Sequence, residues 1–205
     1  MPTIADRIHL RFHPIALLQL AVLCLLLLGL TWPSYATTRS QAPVDQELRS
    51  WLVEAVNQAD SFEDRFDAEV WLVDMSARIS RYVKDDQERL HILRSAHREA
   101  KRAGLPIDLV MGVIHTESLF QRFAISVVGA QGLMQVMPFW KNEIGRPEDN
   151  LTDIDTNLRY GCTILSYYLE RSKGNLSEAL ARYNGSYGKM KYPNKVYAAQ
   201  NRYLD

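Results

Sequence analysis

Residues 106–120, PIDLVMGVIHTESLF, decide how the rest of the chain is read. Taken as a helix, they place Val110, Val113, Ile114 and Glu117 on one stripe at the i, i+3, i+4, i+7 spacing. An acid therefore stands where an apolar residue is expected. Among apolar neighbours the charged form of a carboxylate is disfavoured, so its pKa rises toward neutrality. A group that holds a proton near neutral pH is what general acid catalysis uses. The alternative is that Glu117 ends the helix, turns into water and adds only polarity. There the negative end of the helix dipole also raises its pKa, so helical phase alone leaves both readings open.

Upstream of this stretch the pattern remains helical. Leu90, Leu93, Ala96, Ala100 and Ala103 point inward on a helix over about Asp86 to Ala103. Gly104 stops that helix, and Leu105-Pro106 starts the next one at a sharp corner. A helix after Ser61 is predicted to bury Phe62, Phe66, Val70, Val73 and Ala77, with Ile79 or Val83 beyond them. Another is predicted from Val44, Leu48, Trp51, Leu52, Ala55 and Val56.

Downstream, a loop of small residues follows Phe120, with strand-like alternation only around Phe123 to Val128. Gln131 to Met137 form a short apolar segment stopped by Pro138. Asp153 or Asp155 is expected to cap a helix to about Arg171, with Gly174 at its end, and Ser177 to cap Glu178 to Tyr183. A last helix is expected after Pro193. The architecture is all-α, or mainly so, without internal repeats.

The 205 residues, 23% charged and with a formal net charge of zero, suit one globular domain. Residues 1–36 stand apart: Arg7 and Arg11 precede the apolar run Ile15 to Leu30, and Ser34-Tyr35-Ala36 offers a small-x-small cleavage site. This reads as a cleaved secretory signal peptide, with an uncleaved membrane anchor as the alternative. Cys24 lacks the small residue expected before a lipid-modified cysteine. After cleavage Cys162 alone remains, so no internal disulfide is expected and this cysteine reads as a small buried hydrophobe. Residues 37–43 read as a linker, 44–92 as an N-terminal helical extension and 93–205 as the catalytic domain.

Near-neutral charge leaves no electrostatic footprint for nucleic acid. Lys189, Lys191, Lys195 and Arg202 nevertheless make the last stretch basic, either as a solvated face or as a contact for an anionic polymer. No metal or other cofactor is implied. His115-Thr116-Glu117 lacks the downstream cysteine pair of zinc deaminases, and His91, His97 and His115 lack metal-binding helical spacing, so they read as surface or satisfied core histidines. Asp149, Asp153 and Asp155 lack the ligand ladder of a calcium loop and read as helix caps. Gly129 and Gly132 fit no phosphate loop and imply a tight backbone approach.

Three segments are more specific together than apart. Glu117-Ser118-x-Phe120 is followed by Ser126-Val127-Val128-Gly129-Ala130-Gln131-Gly132-Leu133-Met134-Gln135-Val136-Met137-Pro138, then by Ala181-Arg182-Tyr183-Asn184-Gly185. In order, type and spacing they resemble the Glu-Ser, Gly-Leu-Met-Gln and Ala-Tyr-Asn motifs of the lysozyme-like catalytic domain of soluble lytic transglycosylases. The resemblance implies cleavage of the β-1,4 bond between N-acetylmuramic acid and N-acetylglucosamine in peptidoglycan, leaving a 1,6-anhydro end.

It assigns Glu117 the catalytic position and Gln135 the placing of a substrate sugar, with Met134 on the groove wall and Tyr183 and Asn184 opposite the glutamate. Ser118 and Ser126 hold supporting positions, and Tyr192-Pro193 with Val196 resemble the final, tyrosine-containing motif. One departure is Arg182 in place of the family alanine, which must reach solvent or find an acid. The resemblance further implies peptidoglycan strands as partner, a monomer, and a periplasmic or cell-envelope location. Any cell-wall or secretion-complex protein partner stays undefined.

Ordinary glycosidases use two carboxylates, and here one good candidate stands out. A single acid points to a substrate-assisted mechanism. The rivals are a lysozyme-type hydrolase on the same fold and a non-catalytic peptidoglycan-binding scaffold, although Glu117, Gln135 and Tyr183 are all intact.

Overall fold

A computed structural model describes residues 65–204, which contain seven helices. They are α1 (Arg65–Ile79), α2 (Asp86–Ala103), α3 (Ile107–Ser118), α4 (Trp140–Ile144), α5 (Ile154–Arg171), α6 (Leu176–Tyr183) and α7 (Lys191–Gln200). No strand forms among the described residues. Ile125 and Val136 each make only an isolated antiparallel bridge to Gln131, so the all-α expectation holds and the alternation at Phe123 to Val128 yields no strand. The signal peptide, the linker and the helix predicted from Val44 lie outside the described residues.

The corner at Gly104 forms as expected. Gly104 adopts φ +65° and its N–H closes onto the end of α2, after which Pro106 leads into α3. Asp85, not anticipated as a cap, accepts from the Glu88 N–H at the start of α2, and the expected cap Asp153 accepts from the Thr156 N–H at the start of α5. The cap of α6 is Asn175 rather than Ser177, two residues earlier, because the Asn175 side chain reaches the Glu178 N–H. The last helix starts before Pro193 rather than after it. Pro193 sits in the first turn, where its missing N–H leaves no intrahelical bond unmade.

Helix α3 lies chiefly against α7, while α2 packs on α5 and α1 on α2. A β-carbon at Gly112 would sit 3.0 Å from the Gln200 backbone, so glycine lets the two helices close at that point. Gln200 also donates to Asp108 at 2.5 Å, tying the end of α7 to the start of α3. Between α2 and α5, Glu99 is 1% exposed and is met by Arg102, Arg159 and Arg98. Asp155, expected as a cap, instead accepts hydrogen bonds from Ser95, His91 and Arg98 across the same interface. Burial opposes its ionisation, but these bonds outweigh it and hold the carboxyl at about 2.

The expectation for α1 is corrected. Phe66, Val70, Val73 and Ala77 face outward, whereas Ala68, Leu72, Met75 and Ile79 are buried, followed by Val83. Both stripes have helical spacing, and the choice falls to what α1 meets on α2. Ser76 on the inner face accepts from Arg89 Nε at 2.7 Å, and Arg89 also caps the Val83 carbonyl at 2.8 Å.

Candidate active site

Glu117 occupies the last turn of α3 and closes no ion pair among the described residues. The apolar part of its stripe, Val110, Val113 and Ile114, is fully buried. The chain then turns through two left-handed residues, Leu119 at φ 51° and Phe120 at φ 65°. Such backbone is costly away from glycine. It is retained here by burial: Phe120 is 1% exposed and packs in an aromatic cluster with Tyr82, His115 and Tyr203. His115 shares a 2.6 Å hydrogen bond with the Tyr203 hydroxyl, so this histidine is a satisfied packing group.

A cavity of about 400 Å³ opens at Glu117, lined by Thr116, Asn184, Ser186, Lys189, Lys191, Tyr192 and Lys195. Among the described residues, Glu117 is the only carboxylate in that lining. Tyr192, from the first turn of α7, donates its hydroxyl to Glu117 Oε1 at 2.5 Å. Burial lifts the Glu117 carboxyl to about 7; the Tyr192 hydrogen bond and the charge of Lys195 oppose this without cancelling it. Near neutral pH the group is thus divided between acid and carboxylate, able to give a proton and to take one back.

The sequence-predicted site residues divide into two sets. Glu117, Asn184 and Tyr192 share the cavity. Ser118, Ser126, Met134, Gln135 and Tyr183 do not line it; they build what lies behind and beside it. Ser118 donates to the carbonyls of Leu133 and Ile114, pinning the Gly-Leu-Met-Gln turn to the end of α3. Ser126 accepts from the Ala130 N–H within its own loop.

The Met134 side chain is fully buried, not on a groove wall. It fills the space left by Gly161, where a β-carbon would lie 2.4 Å from its sulfur. Gln135 stands at φ 50° and donates its amide to the carbonyls of Ala124 and Gly132, so the nitrogen serves the loop. Tyr183 donates to the Met134 carbonyl at 2.7 Å, rather than to Glu117. Burial, then the nearby Glu117 charge, raises its phenol well above the ordinary value, keeping it a neutral donor. Arg182 finds its acid: it forks onto Glu178 at 3.0 and 2.8 Å and stacks over Tyr187 at 4.0 Å.

Sequence reasoning missed Asn157, the residue that holds the Gly-Leu-Met-Gln turn. Its amide donates to the carbonyls of Gln131 and Leu151, and its oxygen accepts from the Met134 N–H, all at 2.7–2.8 Å. The turn lies so close that a β-carbon on Gly132, at φ +76°, would be 2.3 Å from the Asn157 amide. The available signal was a polar residue on the apolar stripe of α5, beside Ile154, Leu158 and Gly161, the same anomaly that marks Glu117 on α3. Thr116, Ser186 and the cavity role of the three lysines were also missed. Thr116 and Ser186 carry no pattern of their own, and the lysines, legible only as a basic stretch, meet Glu117 through the fold.

A family model described as Transglycosylase SLT domain matches residues 94–204. The chain belongs to this family. It is 33% identical over 94 residues to the membrane-bound lytic murein transglycosylase C of Haemophilus influenzae strain PittEE, covering 40% of this chain and 26% of the relative. It is also 33% identical over 93 residues to the protein of that name from Mannheimia succiniciproducens, covering 39% and 25%. The chain thus spans about a quarter of the length of the curated relatives it matches. An inactive mutant of lytic transglycosylase Slt from Pseudomonas aeruginosa is a structural neighbour at a TM-score of 0.46 and 23% identity, covering 75% of this chain and 31% of that one.

Proposed function

We propose that this chain is a peptidoglycan lytic transglycosylase that breaks the β-1,4 bond between N-acetylmuramic acid and N-acetylglucosamine without consuming water. The observation that carries the reading is the single carboxylate of the cavity, Glu117, poised at about 7 and oriented by Tyr192. With no second acid in the lining, the substrate's own 2-acetamido oxygen takes the role of nucleophile.

Glu117 gives its proton to the departing glycosidic oxygen while the acetamido oxygen bonds to the anomeric carbon. The carboxylate so formed removes the proton from the C6 hydroxyl. The C6 oxygen then attacks the anomeric carbon and releases the acetamido group, closing the 1,6-anhydro ring and leaving Glu117 protonated as at the start. Asn184 contacts the sugar from across the cavity. Gln135 and Tyr183 act on placement through the turn they support. Relatives named as murein transglycosylases and the export features read in residues 1–36 support a reading in which substrate and compartment meet in the cell envelope.

The test is incubation of the full chain, and of its Glu117→Gln form, with isolated sacculi, followed by mass spectrometry of the released muropeptides. Anhydro products one water lighter than hydrolytic ones, absent with the variant, are expected. Reducing-end products would replace this reading with a hydrolase. Sacculus binding without any product would replace it with a scaffold.

A further inference from the structure

Three cations stand around the Glu117 cavity: Lys189 in the turn before α7, and Lys191 and Lys195 four residues apart in its first two turns. We infer that these lysines bind a carboxylate carried by the substrate next to the scissile bond, so that the site selects glycan with ionised muramyl arms over neutral glycan. The inference rests on the glycan reading above and names the feature of that glycan which is recognised.

Four arginines of the described structure are matched by acids, Arg89 by Asp86, Arg98 by Asp155, Arg102 by Glu99 and Arg182 by Glu178, whereas the cavity lysines are exposed. The three cavity lysines have no ion-pair partner among the described residues, and like charges four apart on a helix repel. Glu117 forms no ion pair with them among the described residues; the charge of Lys195 reaches it without cancelling the effect of burial, so it offsets their charge only in part. Among the described residues, positive charge without an ion-pair partner thus gathers at the cavity that holds Glu117.

Ser186 lines the same cavity. Its hydroxyl oxygen is buried and has no hydrogen-bond partner among the described residues, which leaves it free to donate. A hydroxyl beside three ammonium groups is a donor set for a carboxylate. Muramic acid carries a lactyl ether on C3, next to the C2 that bears the acetamido group, so it lies on the sugar whose C1 reacts. Its carboxyl is either free or joined to a stem peptide that bears further carboxylates, and both sources share the chemistry the lysines recognise.

The probe is the full-length Glu117→Gln chain, which binds without turnover, titrated calorimetrically with four ligands of equal sugar count. They are a muramyl glycan with free lactyl groups, the same glycan with stem peptides, that glycan with every carboxylate amidated, and a chitooligosaccharide. At low salt, one or both carboxylate-bearing ligands are expected to bind about tenfold tighter than the neutral pair, as a few partly exposed ion pairs would produce. That advantage should vanish at high salt and with Lys189→Gln/Lys191→Gln/Lys195→Gln, and return with arginine at the same positions. The arginine form also shows that loss in the glutamine form is loss of charge and not of fold. Comparison of the first two ligands identifies the source of the carboxylate.

Equal affinity for charged and neutral ligands, or an advantage that survives the triple glutamine variant, would overturn the inference. The wild-type digest of sacculi reports separately on the chemistry. Anhydro products without charge preference would retain the transglycosylase and remove the lysine role, while charge preference without products would do the reverse.

Discussion

Glu99 and Glu117 are both carboxylates on inward-facing positions, and their neighbours give them opposite parts. Three arginines meet Glu99 at the α2–α5 interface. Glu117 has one phenol at 2.5 Å and no ion pair, so burial dominates and lifts it to about 7. Removing the carboxyl in Glu117→Gln should lower cleavage of sacculi by at least about 10²-fold, the scale of a lost general acid–base. The same variant has a stability signature. A folded-state pKa above the model-peptide 4.5 means that full stability is present below 4.5 and is lost as pH rises through about 7. Thermal melting should therefore show Glu117→Gln matching wild type at pH 4 and exceeding it at pH 8, by roughly 3 kcal/mol at most. Equal melting at pH 8 would mean that Glu117 ionises freely.

Tyr192 is a positioning residue for that carboxyl, and its test lies in the pH profile. Its hydrogen bond favours the ionised form, so Tyr192→Phe should move the alkaline limb of kcat/KM upward in pH as well as slow turnover. A purely structural role would slow turnover and leave the limb in place. The glutamate was legible from the sequence because its anomaly is local: one acid on an apolar helical stripe. Tyr192 was legible only as part of a family motif and its contact with Glu117 not at all, because the two side chains are 75 residues apart and meet through the α3–α7 packing.

At the level of elements, the Gly-Leu-Met-Gln turn is held by neighbours more than by its own geometry. It has no strand and two isolated bridges. Asn157 supplies three hydrogen bonds to it and to Leu151, while Ser118 and Tyr183 fasten the carbonyls of Leu133 and Met134. Asn157→Leu would leave buried N–H and carbonyl groups unmet, each costing about 1–3 kcal/mol. We expect a loss of about 3 kcal/mol or more in urea unfolding, with activity falling further than stability as the turn moves away from Glu117. A stability change below about 1 kcal/mol would show that water replaces the amide. The motif itself was visible in the sequence as a spacing. Its function as a buried strut was not, since Met134 and Gln135 read as groove residues until the packing against Gly161 and the left-handed Gln135 are seen.

On the scale of the whole molecule, the family match begins at residue 94, yet the structure does not divide there. Arg78 of α1 donates to the carbonyls of Arg202 and Leu204, and Gln121, three residues beyond Ser118, donates to the Tyr82 carbonyl. Residues 65–83 thereby hold the chain's last residues and the turn after Glu117 at once. The helical periods of α2 and α5 were legible because each has one apolar side, while α3 was legible as a run buried without a break from Leu109 to Ile114. The period of α1 was not, because residues 66, 70, 73 and 77 and residues 68, 72, 75 and 79 both satisfy helical spacing. Only α2 distinguishes them. The distinction is measurable: Leu72→Ala, at 0% exposure, should cost about 2–5 kcal/mol, whereas Val73→Ala, at 47%, should stay within about 0.5 kcal/mol. If α1 braces the site, Leu72→Ala should also reduce cleavage at temperatures where the protein remains folded, because loosening Arg78 and Tyr82 releases the turn that follows Glu117. Unchanged cleavage by a destabilised Leu72→Ala would confine α1 to stability and leave the site to the helices from α2 onward.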